Sequence, residues 1–132
     1  MVHSFTNLFF VFSSLFIVKK CSLFKILSSN KMIKHIVFFR LLDEAEGHTK
    51  LENAQIIKNG LLSLRDKVDV LVSEEVGINI PNAKKTDYDI CLICEFRTWE
   101  DVDTYQNHPE HLKVAGYITK CRSARAAVDY EF

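Results

Sequence analysis

The stretch IKHIVFFRLL, from Ile33 to Leu42, predicts a β-strand that is covered on both of its faces. It is rich in β-branched and aromatic residues, which favour strands. Apolar side chains alternate onto both sides: Ile33, Val37, Phe39 and Leu41 share one side with His35, whereas Ile36, Phe38 and Leu42 lie opposite. A strand with one solvated face would carry polar residues at every second position. The sheet that contains this strand is therefore expected to pack against something on each side.

A helix and two further strands are predicted after this strand. Residues Thr49 to Glu52 have the form of a capping box, in which a hydroxyl and a carboxylate satisfy free N–H groups at a helix start. The helix is expected to run to about Val68. Its apolar stripe consists of Leu51, Ala54, Ile57, Leu61, Leu64 and Val68. The strands are predicted over Val68–Ile80 and Tyr88–Phe96, and a loop that contains Pro81 separates them.

The rest of the chain predicts a broken helix and a last strand. Acidic residues after Thr98 favour a helix start there, and the helix is expected to be interrupted at His108-Pro109 and to resume to about Lys120. The resumed segment is expected to bury Leu112, Ala115 and Ile118. The closing stretch ARAAVDYEF, from Ala124 to Phe132, alternates like a strand.

The order of these elements, β-α-β-β-α-β, predicts an α+β, ferredoxin-like fold: an antiparallel four-stranded sheet with helices on one face. Two helices cover only one side of such a sheet, yet the strands are apolar on both sides. A second copy of the same sheet is the simplest cover for the other side. The sequence therefore predicts a homodimer formed by sheet-to-sheet packing.

Charge and composition divide the chain at about Met32. Residues 1–31 contain four lysines and no acidic residue, so residues 32–132 carry 13 basic side chains against 17 acidic ones. A mildly acidic domain argues against nucleic acid as the main partner, because phosphate binding needs a basic face. With four glycines and no clustered pair, the chain also offers no phosphate-binding loop, and we expect no cofactor.

The hydrophobic extension, residues 1–31, is expected to lie outside the fold, and residues 32–132 to form the domain. Its apolar run, Leu8–Val18, is shorter than the roughly 20 residues that span a bilayer. It also lacks the flanking sequence of an ordinary signal peptide. Three interpretations stay open: a mis-set start with Met32 opening the functional chain, which we favour, a short membrane anchor, or an atypical export signal. Membrane contact is expected only if the extension is retained as an anchor.

The cysteines do not indicate a metal site or a disulfide. Cys91 and Cys94 lie three residues apart on a predicted strand, so they point to opposite faces. No second C-x-x-C is present to complete a zinc site. We interpret them as buried thiols in a reducing compartment, and the domain as cytoplasmic.

The stretch TYQNHPEHLK, from Thr104 to Lys113, holds the densest chemistry of the chain. With Pro109 in the first turn of the second segment, His111 lies in the same turn. A helix N-terminus disfavours the imidazolium, so the ring is expected to stay neutral and able to accept a proton. A neighbouring Tyr105 hydroxyl could donate to a developing oxyanion. The pair suits proton abstraction next to a carbonyl group.

Structural interpretations of the same residues stay open. His108 could cap the second segment, and His111 could order the turn without a role in a pocket. His35 shares an apolar strand face, so it could be a hydrogen-bonded core histidine. Tyr105 could be a core aromatic residue. A metal site at His108 and His111 is disfavoured, because the proline break spoils their helical spacing and no third ligand follows.

The strand IKHIVFFRL, the strand DYDICLICEF, the stretch YQNHPEH and the ending VDYEF together resemble the stress-responsive A/B barrel domain (Dabb) family. The resemblance covers residues 32–132 and none of the extension. It implies a ferredoxin-like α+β fold and a dimer whose two sheets form a barrel. The family includes a plant polyketide cyclase that closes a linear tetraketide by an aldol condensation without a cofactor.

Catalytic roles for His111, Tyr105 and His35 are implied by that resemblance. A further pocket histidine of the cyclase is replaced here by Ile90, which argues against the same polyketide substrate. The residues predicted to bind substrate are His108, Ile90 and Phe39. One hypothesis is thus a cofactor-independent, cyclase- or lyase-like enzyme acting on a small carbonyl compound. The alternative is a non-catalytic, stress-associated dimer that holds a small apolar ligand.

Overall fold

The computed structural model describes residues 31–132, and Met32–Phe132 form one compact unit. Apart from Lys31, the hydrophobic extension lies outside the described residues, so its three interpretations stay predictions. No helix among residues 31–132 is long and apolar enough to cross a membrane.

The domain is built on one antiparallel sheet with its helices on one side. The strands are β1 (Ile33–Leu41), β2 (Glu44–Ala45), β3 (His48–Thr49), β4 (Ser73–Ile78), β5 (Ile90–Phe96) and β6 (Arg122–Glu131). The helices are α1 (Lys50–Leu62), α2 (Trp99–Asn107) and α3 (Pro109–Cys121). The four long strands form a sheet of order β4-β5-β1-β6, while β2 and β3 form a small hairpin before α1. This confirms the predicted α+β, ferredoxin-like architecture.

Strand β1 lies in the middle of the sheet, and its register fixes which side chains share a face. His35 lies opposite Cys94 of β5 on one side and opposite Asp129 of β6 on the other. The helix-covered face is closely packed. It buries His35, Val37, Phe39 and Leu41 of β1 together with Ile90, Leu92, Cys94 and Phe96 of β5. The opposite face, which carries Ile36 and Phe38, is only half-buried.

Helix α1 begins as the sequence predicts and ends earlier. The Thr49 hydroxyl accepts a hydrogen bond from the Glu52 N–H, and Glu52 accepts the Thr49 N–H in return, so the capping box is confirmed. The helix ends at Leu62. Leu64 and Val68, the last two residues of the predicted stripe, follow the helix and are buried in the core. The prediction that Leu51 is buried is wrong: it is 70% exposed and lines an open groove beside Ile80.

The predicted break between α2 and α3 is confirmed at His108. The Thr98 hydroxyl caps α2, and α2 ends at Asn107. His108 is extended (φ −66°, ψ 134°), the conformation that a following proline imposes, and Pro109 opens α3. Ile118 is buried as predicted. Leu112 is 54% exposed instead, because it lies on the outer side of α3.

Candidate functional site

A cavity of about 250 Å³ lies between the helix-covered face of the sheet and helices α1, α2 and α3. We call it the histidine cavity. Its apolar wall consists of Val37, Phe39, Leu61, Leu92, Ala115 and Ile118. Its polar wall consists of His35, Gln106, His111, Thr119, Arg122 and Arg125. A concave, mainly apolar space with a few converging polar groups is the usual form of a small-molecule site.

His35 is held in the cavity wall by a carboxylate on the neighbouring strand. Its side chain is buried, and Nδ1 lies 2.5 Å from Oδ1 of Asp129, the residue directly opposite on β6. A carboxylate accepts and does not donate, so Nδ1 carries the proton. Nε2 is then the nitrogen left for a ligand, and it has no protein partner among residues 31–132.

His111 is held in the same way by a backbone carbonyl. Its Nδ1 lies 3.0 Å from the Gln106 oxygen, so Nδ1 donates and Nε2 keeps its lone pair. The helix break explains why this carbonyl is free. In a continuous helix the Gln106 oxygen would accept from the Glu110 N–H, but that N–H donates to the His108 ring. The break between α2 and α3 therefore fixes the orientation and tautomer of His111.

The electrostatic surroundings keep the His111 ring neutral. Burial lowers the pKa of His111, and His35, His108 and Arg125 lower it further because each can carry positive charge nearby. The hydrogen bond to the Gln106 carbonyl acts in the opposite direction, but the net shift of the pKa is downward. His111 is thus available as a base near neutral pH.

Tyr105 contacts His111 without entering the cavity. The two rings pack with centroids 4.5 Å apart, and Phe96 lies on Tyr105 at 5.1 Å. The side chain is fully buried, and its hydroxyl lies in the core without a hydrogen-bond partner of normal geometry. Burial and the nearby Cys94 and Glu74 raise the pKa of Tyr105. The hydroxyl therefore faces away from the space where a ligand would sit.

The three predicted substrate-binding residues are not brought together. Phe39 lines the cavity. His108 caps α3, its Nδ1 accepting the Glu110 N–H at 3.2 Å, and it does not line the cavity. Ile90 is 1% exposed and pairs with Phe39 across the sheet, outside the cavity wall. Among the predicted catalytic residues, His35 and His111 line the cavity, and the Tyr105 ring packs against His111 outside it.

Sequence reasoning missed four groups that shape the site: Asp129, the Gln106 carbonyl, Arg122 and Arg125. Asp129 was visible only as one polar position of an alternating strand. Its pairing with His35 depends on the register between the first and last long strands, which are far apart in the sequence. A signal was available for the carbonyl, because a proline break always frees backbone acceptors at the end of the preceding helix. Within residues 31–132, no group of three or more histidine, cysteine or acidic side chains could hold a metal ion.

Comparisons with known proteins agree with this fold. The family model of the stress responsive A/B barrel domain matches residues 33–132. A dimeric protein of unknown function with a ferredoxin-like fold from Bacteroides fragilis is 33% identical, with a TM-score of 0.64, over 76% of this chain and 96% of that chain. A dimeric ferredoxin-like protein of unknown function from Thermobifida fusca is 22% identical, with a TM-score of 0.65, over 77% of this chain and 92% of that one.

A third similar structure is an enzyme. The hydroxynitrile lyase from Passiflora edulis is 13% identical, with a TM-score of 0.63, over 76% of this chain and 93% of that chain. A likeness at that identity concerns the fold alone. The search of curated proteins found no significant match.

Proposed function

The chain belongs to the stress responsive A/B barrel domain (Dabb) family, and from this membership and the cavity we propose that it is a cofactor-independent acid–base catalyst acting on a small carbonyl compound. The observation that carries the proposal is that two histidines of the cavity are held in the same tautomer. His35 and His111 each have Nδ1 tied to an acceptor, and each leaves Nε2 without a protein partner in the described domain, at one partly apolar cavity.

His111 is the general base in this proposal. Its Nε2 takes a proton from the carbon next to the substrate carbonyl, and the electron pair of the broken C–H bond moves into an enolate. The lowered pKa of His111 supports this role, because a neutral ring can accept a proton at once. The enolate carbon then takes the proton back, attacks a second carbonyl group, or re-forms a C=C bond as a leaving group departs from the neighbouring carbon with its electron pair; these steps give isomerase-, cyclase- and lyase-like outcomes, respectively.

His35 stabilises the enolate oxygen. This role requires a second proton on the ring, taken from solvent, in addition to the one on Nδ1: Nε2–H then donates to that oxygen, and the Asp129 carboxylate balances the positive charge on the ring. Tyr105 is a positioning residue, since its ring packs against His111 while its hydroxyl lies in the core. The fold itself is compatible with such chemistry, because one solved structure that shares it is a hydroxynitrile lyase.

The test measures proton abstraction and does not require the natural substrate to be known. Simple medium-chain ketones and aldehydes are incubated with the protein in deuterium oxide, and deuterium uptake next to the carbonyl is followed by NMR. We expect His111→Ala to lower the catalysed rate by roughly 10²–10⁴-fold. The surface substitution His48→Ala is the matched control and should keep the full rate. Equal rates in the parent and His111→Ala proteins would remove His111 from the mechanism. Ligand binding without any exchange would favour the non-catalytic alternative.

We also propose that the domain is a homodimer that packs through the open face of the sheet. The face opposite the helices carries Ile36, Phe38 and Ile93 at its centre and Val128, which is 48% exposed, near its edge. An apolar sheet face of this kind is rarely left in water. Two similar solved structures are described as dimeric, which supports the same assembly here.

A further inference from the structure

The ionisable side chains that line the histidine cavity are all basic. Arg122 and Arg125 both line it, and neither guanidinium group makes an ion pair or hydrogen bond with another group of the described domain. No acidic residue lines the cavity. The Asp129 carboxylate, on the same strand as the two arginines, is engaged by His35.

Unpaired arginines at an apolar cavity indicate an anionic ligand group. A guanidinium presents several N–H donors in a planar fork that fits a carboxylate, and it stays protonated at any physiological pH. Arg122 is half-buried and Arg125 is exposed, and both line the same cavity as apolar residues that include Val37 and Leu92. The cavity lining therefore combines two guanidinium groups with an apolar wall.

We propose that the ligand of this cavity is a medium-chain oxo acid, with its carboxylate at Arg122 and Arg125 and its chain against the apolar wall. The inference deepens the proposed function and rests on it for the oxo group, which must reach the two histidines. A carboxylate held by the two arginines also fixes the position of the chain along the cavity, so that one carbonyl position is presented to His111.

The volume limits the length of the chain. A protein cavity of about 150 Å³ holds benzene, so a cavity of about 250 Å³ accommodates a ligand of roughly ten non-hydrogen atoms. An acid with an eight-carbon chain, such as octanoate, has about that size. Nucleotide-sized anions exceed this volume.

The test measures binding of an unreactive acid, so that it does not depend on catalysis. The full chain is titrated with octanoate and with octanamide, its neutral counterpart, and chemical shifts of cavity residues are followed by NMR. We expect octanoate to bind roughly tenfold more tightly than octanamide, because charge-assisted hydrogen bonds replace neutral ones. Arg122→Gln and Arg125→Gln should each remove most of this difference while octanamide binding is unchanged, which also shows that the variants are folded.

Arg97→Gln is the matched control, since Arg97 is an exposed arginine that follows β5 and does not line the cavity. Equal affinity for the acid and the amide, no binding of either, or an equal effect of Arg97→Gln would overturn the inference. Failure of this test leaves the deuterium-exchange result standing. A failed exchange test, in turn, leaves the acid preference measurable, so the two outcomes are distinguishable.

Discussion

At the scale of single residues, the position of the Tyr105 hydroxyl distinguishes a catalytic donor from a residue that only positions His111. A catalytic oxyanion donor must lie within hydrogen-bond distance of the reacting oxygen. The hydroxyl lies instead in the core near Cys94 and Glu74, and the ring alone contacts His111. The sequence-based role of Tyr105 as a donor stays a prediction. The geometry favours a role in which the ring positions His111 and the hydroxyl does not contact the ligand.

We predict that Tyr105→Phe keeps deuterium-exchange activity within about threefold of the parent protein, because the ring contact with His111 is retained. The same change should raise the free energy of unfolding by up to about 1 kcal/mol, since it removes a buried hydroxyl whose hydrogen bond with the Cys94 thiol is weak. Tyr105→Leu removes the ring and is expected to lower activity by reorienting His111. A loss of roughly 10²-fold or more in Tyr105→Phe would restore the oxyanion-donor role.

Glu74 is a second buried residue with a measurable signature. Its side chain is 6% exposed, and neither carboxylate oxygen has a hydrogen-bond partner. Burial raises the pKa of Glu74 to about 7, although the charge of Arg65 opposes the shift. In the unfolded chain the carboxyl titrates near its ordinary value of about 4.3. Between these two values the folded protein holds a proton that the unfolded chain has lost, so this group's contribution to stability falls as the pH rises.

We predict that Glu74→Gln stabilises the domain by up to roughly 3 kcal/mol at about pH 8 and by only about 1 kcal/mol at about pH 5. Glutamine keeps the shape of the protonated side chain but cannot ionise. The measurement is urea unfolding at both pH values and at one protein concentration. Glu44→Gln, at an exposed position in β2, is the control and should change stability equally at both. A gain for Glu74→Gln that is the same at both pH values would mean that the carboxyl does not titrate in this range.

At the scale of elements, the junction of α2 and α3 links the fold to the site. His108 ends one helix and caps the next, and the Glu110 N–H that it accepts is the one that would otherwise occupy the Gln106 carbonyl. That carbonyl then holds His111. The break is therefore the local cause of the orientation of the proposed base.

We predict that His108→Ala lowers the free energy of unfolding by about 1 kcal/mol, the usual effect of removing a helix cap. His108→Asn should restore the stability, because asparagine is a strong capping residue. If His108 acts only as a cap, His108→Asn also keeps the exchange activity of the parent protein. Restored stability together with lost activity would indicate that His108 contacts the ligand, which is the substrate-binding role predicted from the sequence.

The same elements show what the sequence can and cannot predict. Strand alternation, the capping box at Thr49 and the proline break are local patterns, and each is confirmed. The predicted burial of Leu51 and Leu112 is wrong, because a helical stripe gives the direction of an apolar face but not where the neighbouring sheet ends. The partner of His35 depends on the register between distant strands, which no local pattern encodes.

At the scale of the whole molecule, the sheet separates the histidine cavity on one side from the open apolar face on the other. His35 and Val37 face the helices and the cavity, while Ile36 and Phe38 face the other way. Because the period of a strand is two, one strand can serve both purposes without conflict. A dimer through the open face would bury the second set and leave the histidine cavity on the outer side of each sheet.

The proposed dimer predicts the effect of one charge on that face. Val128 is half-exposed on β6, so Val128→Asp should not disturb the core of a single domain. In a two-fold symmetric dimer the change occurs on both copies, and each places a carboxylate against apolar side chains. We predict that the dissociation constant of the dimer rises at least roughly hundredfold. Light scattering coupled to size-exclusion chromatography should then report a monomer at micromolar concentration. Leu112→Asp, an equally exposed apolar position on α3, should leave the dimer intact. If Leu112→Asp dissociates the protein and Val128→Asp does not, the helices rather than the sheet form the interface.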